Sequence, residues 1–308
     1  MINLHWHSNF SLLDATTSIK DIIATAQKNQ SSAIALTDYW GMYGAIEFYQ
    51  QAQKAGIKPI IWVDLPIVQT ITSASPKDYK PVFATFIARN YEWYLELLKL
   101  TTRANTIGVY NEIPRIDFTQ LQNLKNVYMI IGAHNSILWE AILNNASLNH
   151  LQQLIQQFVD LLGQDNVILE FEIQDFEILP QFQILRETKK KLQNQLIAII
   201  TSNFHYAKPW DKQAFWASLE IKYWTGQIPY FFKKGEFHIR NEEEVLKITK
   251  KNKLDNKCVQ QLIKNTQHIA KNINIQMPMV QVLFPDYRPS KKTQQLYNQY
   301  QQILDAKE

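Results

Sequence analysis

The sequence predicts an α/β chain: a seven-stranded barrel or wound sheet, followed by a mostly helical C-terminal extension. Seven short apolar runs, many of them β-branched, recur through the first two hundred residues. Helical stretches with recognisable start and stop residues separate them. After about residue 208 the strand signal stops and only helical patterns follow. Strands alternating with helices are the pattern of α/β folds, and a count of seven favours a barrel.

The strand candidates, in order, are Ile2–Leu4, Ala33–Leu36, Pro59–Val63, Val82–Ala88, Val127–Ile131, Val167–Phe171 and Leu196–Ile200. Each is apolar on both faces, as strands buried in a parallel sheet are. A helix over Ile19–Lys28 follows a Thr17/Ser18 cap, and one over Tyr43–Ala55 stops at Gly56. Tyr91–Ala104 starts after Asn90, and Leu148–Leu162 runs from Ser147 to Gly163.

Beyond the strands lie a helix near Trp210–Tyr223 and an aromatic loop at Ile228-Pro229-Tyr230-Phe231-Phe232. Helices near Glu242–Lys251 and Lys257–Asn272 follow. Met277–Ser290, with three prolines, reads as an extended linker, and Gln294–Ala306 as a last polar helix. The expected division is a barrel domain over 1–208, a helical extension over 209–276, and a linker with the start of a further body over 277–308.

Composition narrows the function classes. At 308 residues with 46% hydrophobic residues, the chain has ample material for a core. A net charge of +4 with both signs mixed does not by itself argue for nucleic-acid binding. The basic stretches Lys189–Lys191 and Lys247–Lys257 read as solvated helix faces. A single cysteine, Cys258, excludes an internal disulfide and a paired-cysteine zinc site, and suits a reducing cytoplasm. The start MINLHWH is polar by its third residue, so no signal peptide is expected, and no apolar run reaches the ~18 residues of a membrane span.

Ligand-type side chains gather where the strands end. His5 and His7 follow the first run, with Asp14 seven residues later; Thr37-Asp38-Tyr39 follows the second, and Asp64 closes the third. His134 follows the fifth run, Glu170 and Glu172 end the sixth, and Asn203 and His205 end the seventh. In parallel α/β folds the C-terminal strand ends share one face, and that face hosts sites. Histidines and carboxylates delivered there by several strands form the layout of a metal-assisted hydrolase. A lone His134 or His205 would be an ordinary loop histidine; only the convergence carries weight.

The segment NLHWHSNFSLLD resembles the opening motif of PHP domains (polymerase and histidinol phosphatase). ALTDYWGMYGAIEFYQQAQKAGIKPIIWVDL resembles the second and third motifs as found in bacterial DNA polymerase III alpha subunits. FATFIARNYEWYLELLKLTTRA, GVYNEIPRID and IITSNFHYAKPWDKQAFWASLEIKYWTGQ continue the likeness. EFHIRNEEEVL, NTQHIAKNINIQM and FPDYRP extend it past what stand-alone PHP phosphatases carry. The likeness is to the N-terminal PHP region of that polymerase family and covers the chain in order.

The resemblance implies a distorted seven-stranded PHP barrel and a site of up to nine ligands for three metals. Carried over by position, His5, His7, Asp14, His134 and His205 keep ligand chemistry, and Asp64 replaces a longer carboxylate. Three positions have lost it: Tyr39 and Phe83 stand where histidines are expected, and Asn203 where an aspartate is. Trp40 and Trp62 stand at two family glycines, either narrowing the site mouth or packing the barrel. Multi-metal phosphoesterases hold cations roughly 3.5–4 Å apart, which needs carboxylates to balance the charge. The expectation is no cofactor, or one residual divalent ion, zinc or manganese, on His5, His7 and Asp14 with His205 as a further ligand.

The resemblance implies a DNA-replication role as a structural or docking module of the alpha subunit, with a degenerate hydrolytic site. Implied partners are the rest of the polymerase or replisome subunits such as a proofreading exonuclease, with DNA reached indirectly and no membrane. The competing functions are a stand-alone metal-dependent phosphoesterase or 3′–5′ exonuclease, and an interaction module using the aromatic loop as its contact surface.

Overall fold

The computed structural model describes residues 2–71, 81–122, 124, 126–174, 179–193, 195–224, 226–278 and 288–306. Seven strands form one curled, mixed sheet: β1 (Ala33–Tyr39), β2 (Lys58–Val68), β3 (Phe83–Ala88), β4 (Ile116–Asp117), β5 (Val127–Ile131), β6 (Val167–Glu172) and β7 (Ile197–Thr201). The order is β1-β2-β3-β5-β6-β7, with β4 paired to the far end of β2. Strands β1, β3, β5 and β6 are buried along their whole length, which is why their sequences are apolar on both faces.

Two sequence expectations fail here. The sheet is not all parallel: β3 runs antiparallel to both β2 and β5. The reversal puts the start of β3 beside the end of β2, pairing Phe83 with Pro66, so Phe83 lies on the same rim as Asp64. Ile2–Leu4 is not a strand, and the seventh strand is instead the two-residue β4.

The N-terminal segment nevertheless completes the curl. Trp6 O accepts from Thr37 N at 2.7 Å, and Leu4 O from the Thr37 hydroxyl at 3.2 Å. On its other side His7 N donates to Phe204 O at 3.0 Å, just past β7. Residues 4–7 therefore bridge the two ends of the sheet, with a single isolated β-bridge at Trp6 and Phe204.

Helices cover the outside. Ile19–Lys28, Tyr91–Ala104 and Leu148–Leu162 form where the sequence predicts, each opened by a side-chain cap from Ser18, Asn90 or Ser147. The helix expected over Tyr43–Ala55 is confined to Ala45–Lys54. Ile137–Leu143 and Leu179–Lys191 are additional helices.

The extension contributes helices Lys212–Lys222, Glu242–Lys251 and Asn256–Asn272. The expected aromatic loop is a short helix, Tyr230–Lys234, because Phe232 is drawn into a core with Tyr206, Phe215, Leu219, Ile228 and Phe237. The helix over residues 256–272 covers the outer edge of β7. Asn265 Nδ2 donates to Ala198 O at 2.7 Å, and the Thr266 hydroxyl both accepts from Ile200 N and donates to Ile200 O at 3.1 Å. Side chains thus satisfy backbone groups that an open edge would expose.

Barrel and extension form one compact unit over Met1–Gln276. A second unit, Met277–Glu308, contains helix Lys291–Asp305, with Leu296, Tyr297, Tyr300 and Ile303 exposed. Most of the linker expected over Met277–Ser290, including the first four residues of FPDYRP, lies outside the described residues. Among the described residues no helix is long and apolar enough to cross a membrane.

Candidate metal centre

All six sequence-predicted ligands and two of the three lost positions, Tyr39 and Asn203, are no more than 5% exposed; Phe83 is 8% exposed. Seven of the nine side chains are linked by ring contacts or hydrogen bonds at one end of the sheet. His7 stacks on Tyr39 at 4.2 Å and 13°, and lies 4.6 Å from His205. His5 meets His7 edge-on at 5.1 Å, and Phe83 packs on Tyr39 at 5.1 Å. Asn203 Nδ2 lies 3.1 Å from His134 Nδ1. Asp64 approaches from β2, its Oδ2 3.5 Å from His5 Nε2.

Within this group His5, His7 and Asp64 place one ligand atom each within 4.8 Å of one another. Asp14, His134 and His205 are not part of that trio. The histidines carry a second-layer pattern suited to metal binding. His5 Nδ1 faces Glu170 Oε1 at 2.8 Å, His134 Nδ1 faces Glu172 Oε2 at 3.1 Å, and His205 Nδ1 faces Asp14 O at 2.5 Å. In each ring the buried Nε2 has no hydrogen-bond partner, and both nitrogens of His7 are likewise unpartnered. Tying one nitrogen to an outer acceptor fixes the tautomer and presents the other to an ion. The residues of the trio therefore fit one divalent ion, held by His5 Nε2, a ring nitrogen of His7 and a carboxylate oxygen of Asp64. Such an ion supplies Lewis acidity; the chain supplies the orientation.

Electrostatics oppose easy loading. Burial disfavours the imidazolium of His5, yet Glu170 and Asp64 outweigh it and hold its pKa well above the ordinary value. An ion at Nε2 must displace that proton. Burial, with neighbouring histidines, holds His7 well below its ordinary value, and burial takes His205 down to about 3. Asp64 also accepts from the Thr85 hydroxyl at 2.5 Å, and Glu170 from the Thr201 hydroxyl, so both carboxylates are anchored to the sheet.

The other half of the site is filled. Both oxygens of Asp14 accept from Lys222 Nζ at 2.5 Å. His134 is sandwiched against Phe231 at 3.6 Å and 10°. The aromatic segment thus packs inward: Phe232 is 3% exposed and Phe231 half-buried, while the side chain of Tyr230 lies outside the described residues. Asp38 organises the loop that follows His7, accepting from Ser8 N at 2.8 Å and the Ser11 hydroxyl at 2.7 Å. Burial raises its pKa to about 6.

Trp40 and Trp62 divide the two roles open to them. Trp62 is 1% exposed and packs near His5 at 6.0 Å as barrel filling. Trp40 sits at the rim with φ +70°, a left-handed backbone that favours glycine, its ring 5.2 Å from Phe83.

Sequence reasoning noted Glu170 and Glu172 at a strand end without seeing that they orient His5 and His134. It placed Phe231 in an aromatic contact loop rather than against His134, and it missed Lys222, whose partner lies far away in sequence and leaves no local signal.

The chain is 29% identical over 294 residues to a DNA polymerase III subunit alpha from Deinococcus radiodurans, covering 90% of this chain and 21% of that protein. It is 30% identical over 257 residues to the subunit of the same name from Borreliella burgdorferi, covering 80% of this chain and 22% of that protein. The chain thus spans about a fifth of the length of these curated relatives. Among solved structures, an amidohydrolase from Chromobacterium violaceum aligns with 67% of this chain and 87% of its own at 14% identity. The TM-score of that match is 0.45. The sequence profile of the PHP domain matches residues 3–174, more than half of the chain. The chain belongs to the PHP domain family.

Proposed function

We propose that this chain is the PHP module of a DNA polymerase III alpha subunit, serving DNA replication as a structural and docking element with no hydrolytic turnover of its own. The observation that carries this reading is the aromatic infill of the site. Tyr39 lies flat on His7 with Phe83 behind it, where the resemblance calls for two histidines. With Asn203 neutral, the remaining set fits one ion on His5, His7 and Asp64, zinc or manganese by ligand type. A single ion lacks the second cation that steadies a leaving oxygen in two-metal hydrolysis.

The module's partners are the remainder of the alpha subunit and replisome proteins such as a proofreading exonuclease, in the cytoplasm, with DNA contacted through them. The supporting facts are the relatives' much greater length and the solitary, half-buried cysteine. The second reading, a stand-alone phosphoesterase or 3′–5′ exonuclease, draws on the same histidine–aspartate trio.

Hydrolysis of p-nitrophenyl phosphate esters and of single-stranded DNA 3′ ends, assayed with manganese and with zinc, separates the two. The module reading expects no metal-dependent turnover above buffer. Turnover that needs the metal and vanishes in His7→Ala would favour the phosphoesterase.

A further inference from the structure

Lys222 closes helix Lys212–Lys222, in the extension beyond residues 3–174 that match the PHP profile. Its ammonium crosses to the barrel and meets both carboxylate oxygens of Asp14 at 2.5 Å. The pair spans 208 residues of sequence; the Asp14 side chain is 5% exposed and that of Lys222 27%.

This is not a surface lysine that happens to lie near an acid. The helix that carries it is fixed by Phe215 and Leu219, both buried in the aromatic core. Its C-terminal end favours a cation. The Lys222 ammonium also lies 5.5 Å from the Tyr223 ring centroid. Asp14 therefore has a positive charge on both oxygens.

We propose that Lys222 is a built-in counter-ion at Asp14 that excludes a divalent cation from this half of the site. The inference rests on the reading of the site as a residual one, and adds the device that keeps it so. A divalent ion bound to Asp14 would lie roughly 2.0–2.2 Å from a carboxylate oxygen. The ammonium already caps both oxygens, and two cations cannot share them without strong repulsion in a buried setting. Selection against metal thus comes from the extension as well as from substitutions within the barrel.

The test compares manganese binding by equilibrium dialysis in the wild-type chain, Lys222→Gln, Lys222→Arg, and Lys222→Gln with Asp14→Asn. Lys222→Gln is expected to bind about one ion per chain more than wild type. Lys222→Arg, which keeps the charge, is expected to match wild type, and the added Asp14→Asn to abolish the gain. The comparison is with wild type, so it holds whether the wild-type chain binds one ion or none. Two or more ions in wild type would defeat the residual-site reading instead. A folded Lys222→Gln with wild-type stoichiometry overturns the proposal. If Lys222→Gln does not fold, manganese present during refolding is expected to restore it by standing in for the ammonium. Failure of manganese to rescue it overturns the proposal equally.

Discussion

The indole of Trp40 meets the ring of Phe83 at 5.2 Å, nearly edge-on, from a backbone held at φ +70°. A bulky residue is strained in that region, where glycine is at ease. The contact with Phe83 offsets the strain. The usual ranking of small replacements should therefore invert. Trp40→Gly is expected to be more stable than Trp40→Ala by about 1 kcal/mol, because only alanine keeps the backbone penalty. Urea unfolding of the two variants checks this; alanine equal to or above glycine would contradict the strain argument.

Glu170 is fully buried, with one oxygen shared between His5 Nδ1 and the Thr201 hydroxyl. Glu170→Ala leaves the His5 charge without its main partner, and breaking a buried pair from one side costs about 3 kcal/mol. It also frees the ring, so affinity for zinc at the histidine–aspartate trio should fall about 10- to 100-fold. Denaturant midpoints and zinc titration measure the two effects. Unchanged zinc affinity would remove Glu170 from its orienting role.

His205 gives a pH signature. Its pKa is lowered from 6.5 to about 3 in the folded chain, chiefly by burial. As pH falls from 6.5 towards 3, the unfolded chain takes up a proton that the folded chain refuses. The stability from this group is therefore complete above 6.5 and is lost progressively across that window. Between pH 7 and pH 5 the loss is about 2 kcal/mol. Urea unfolding at both pH values should show the wild-type chain losing about that much more than His205→Phe. Parallel losses would mean that His205 does not stay neutral in the fold.

The sequence disclosed those features whose cause is local. Ser18, Asn90 and Ser147 mark helix starts because a cap acts within three residues, and β5 was legible from its five buried residues in a row. The histidine-rich strand ends were readable for the same reason. The direction of β3 was not, since it shows only in its antiparallel pairing with β2 and β5 and not in the strand's own residues. Ile2–Leu4 carried a strand pattern, but residues 4–7 bridge the sheet by only a few hydrogen bonds. Asp14 shows the limit most clearly: its spacing after His7 suggests a ligand, while its partner, Lys222, sits in an unremarkable helix 208 residues away.

As the proposed module, the chain keeps one metal position at most in its PHP site. Elemental analysis of the chain after saturation with manganese and zinc, and removal of unbound ions, tests it most directly. No more than one ion per chain is expected, lost in His5→Ala and His7→Ala. Two or more retained ions would contradict it and put a multi-metal phosphoesterase in its place.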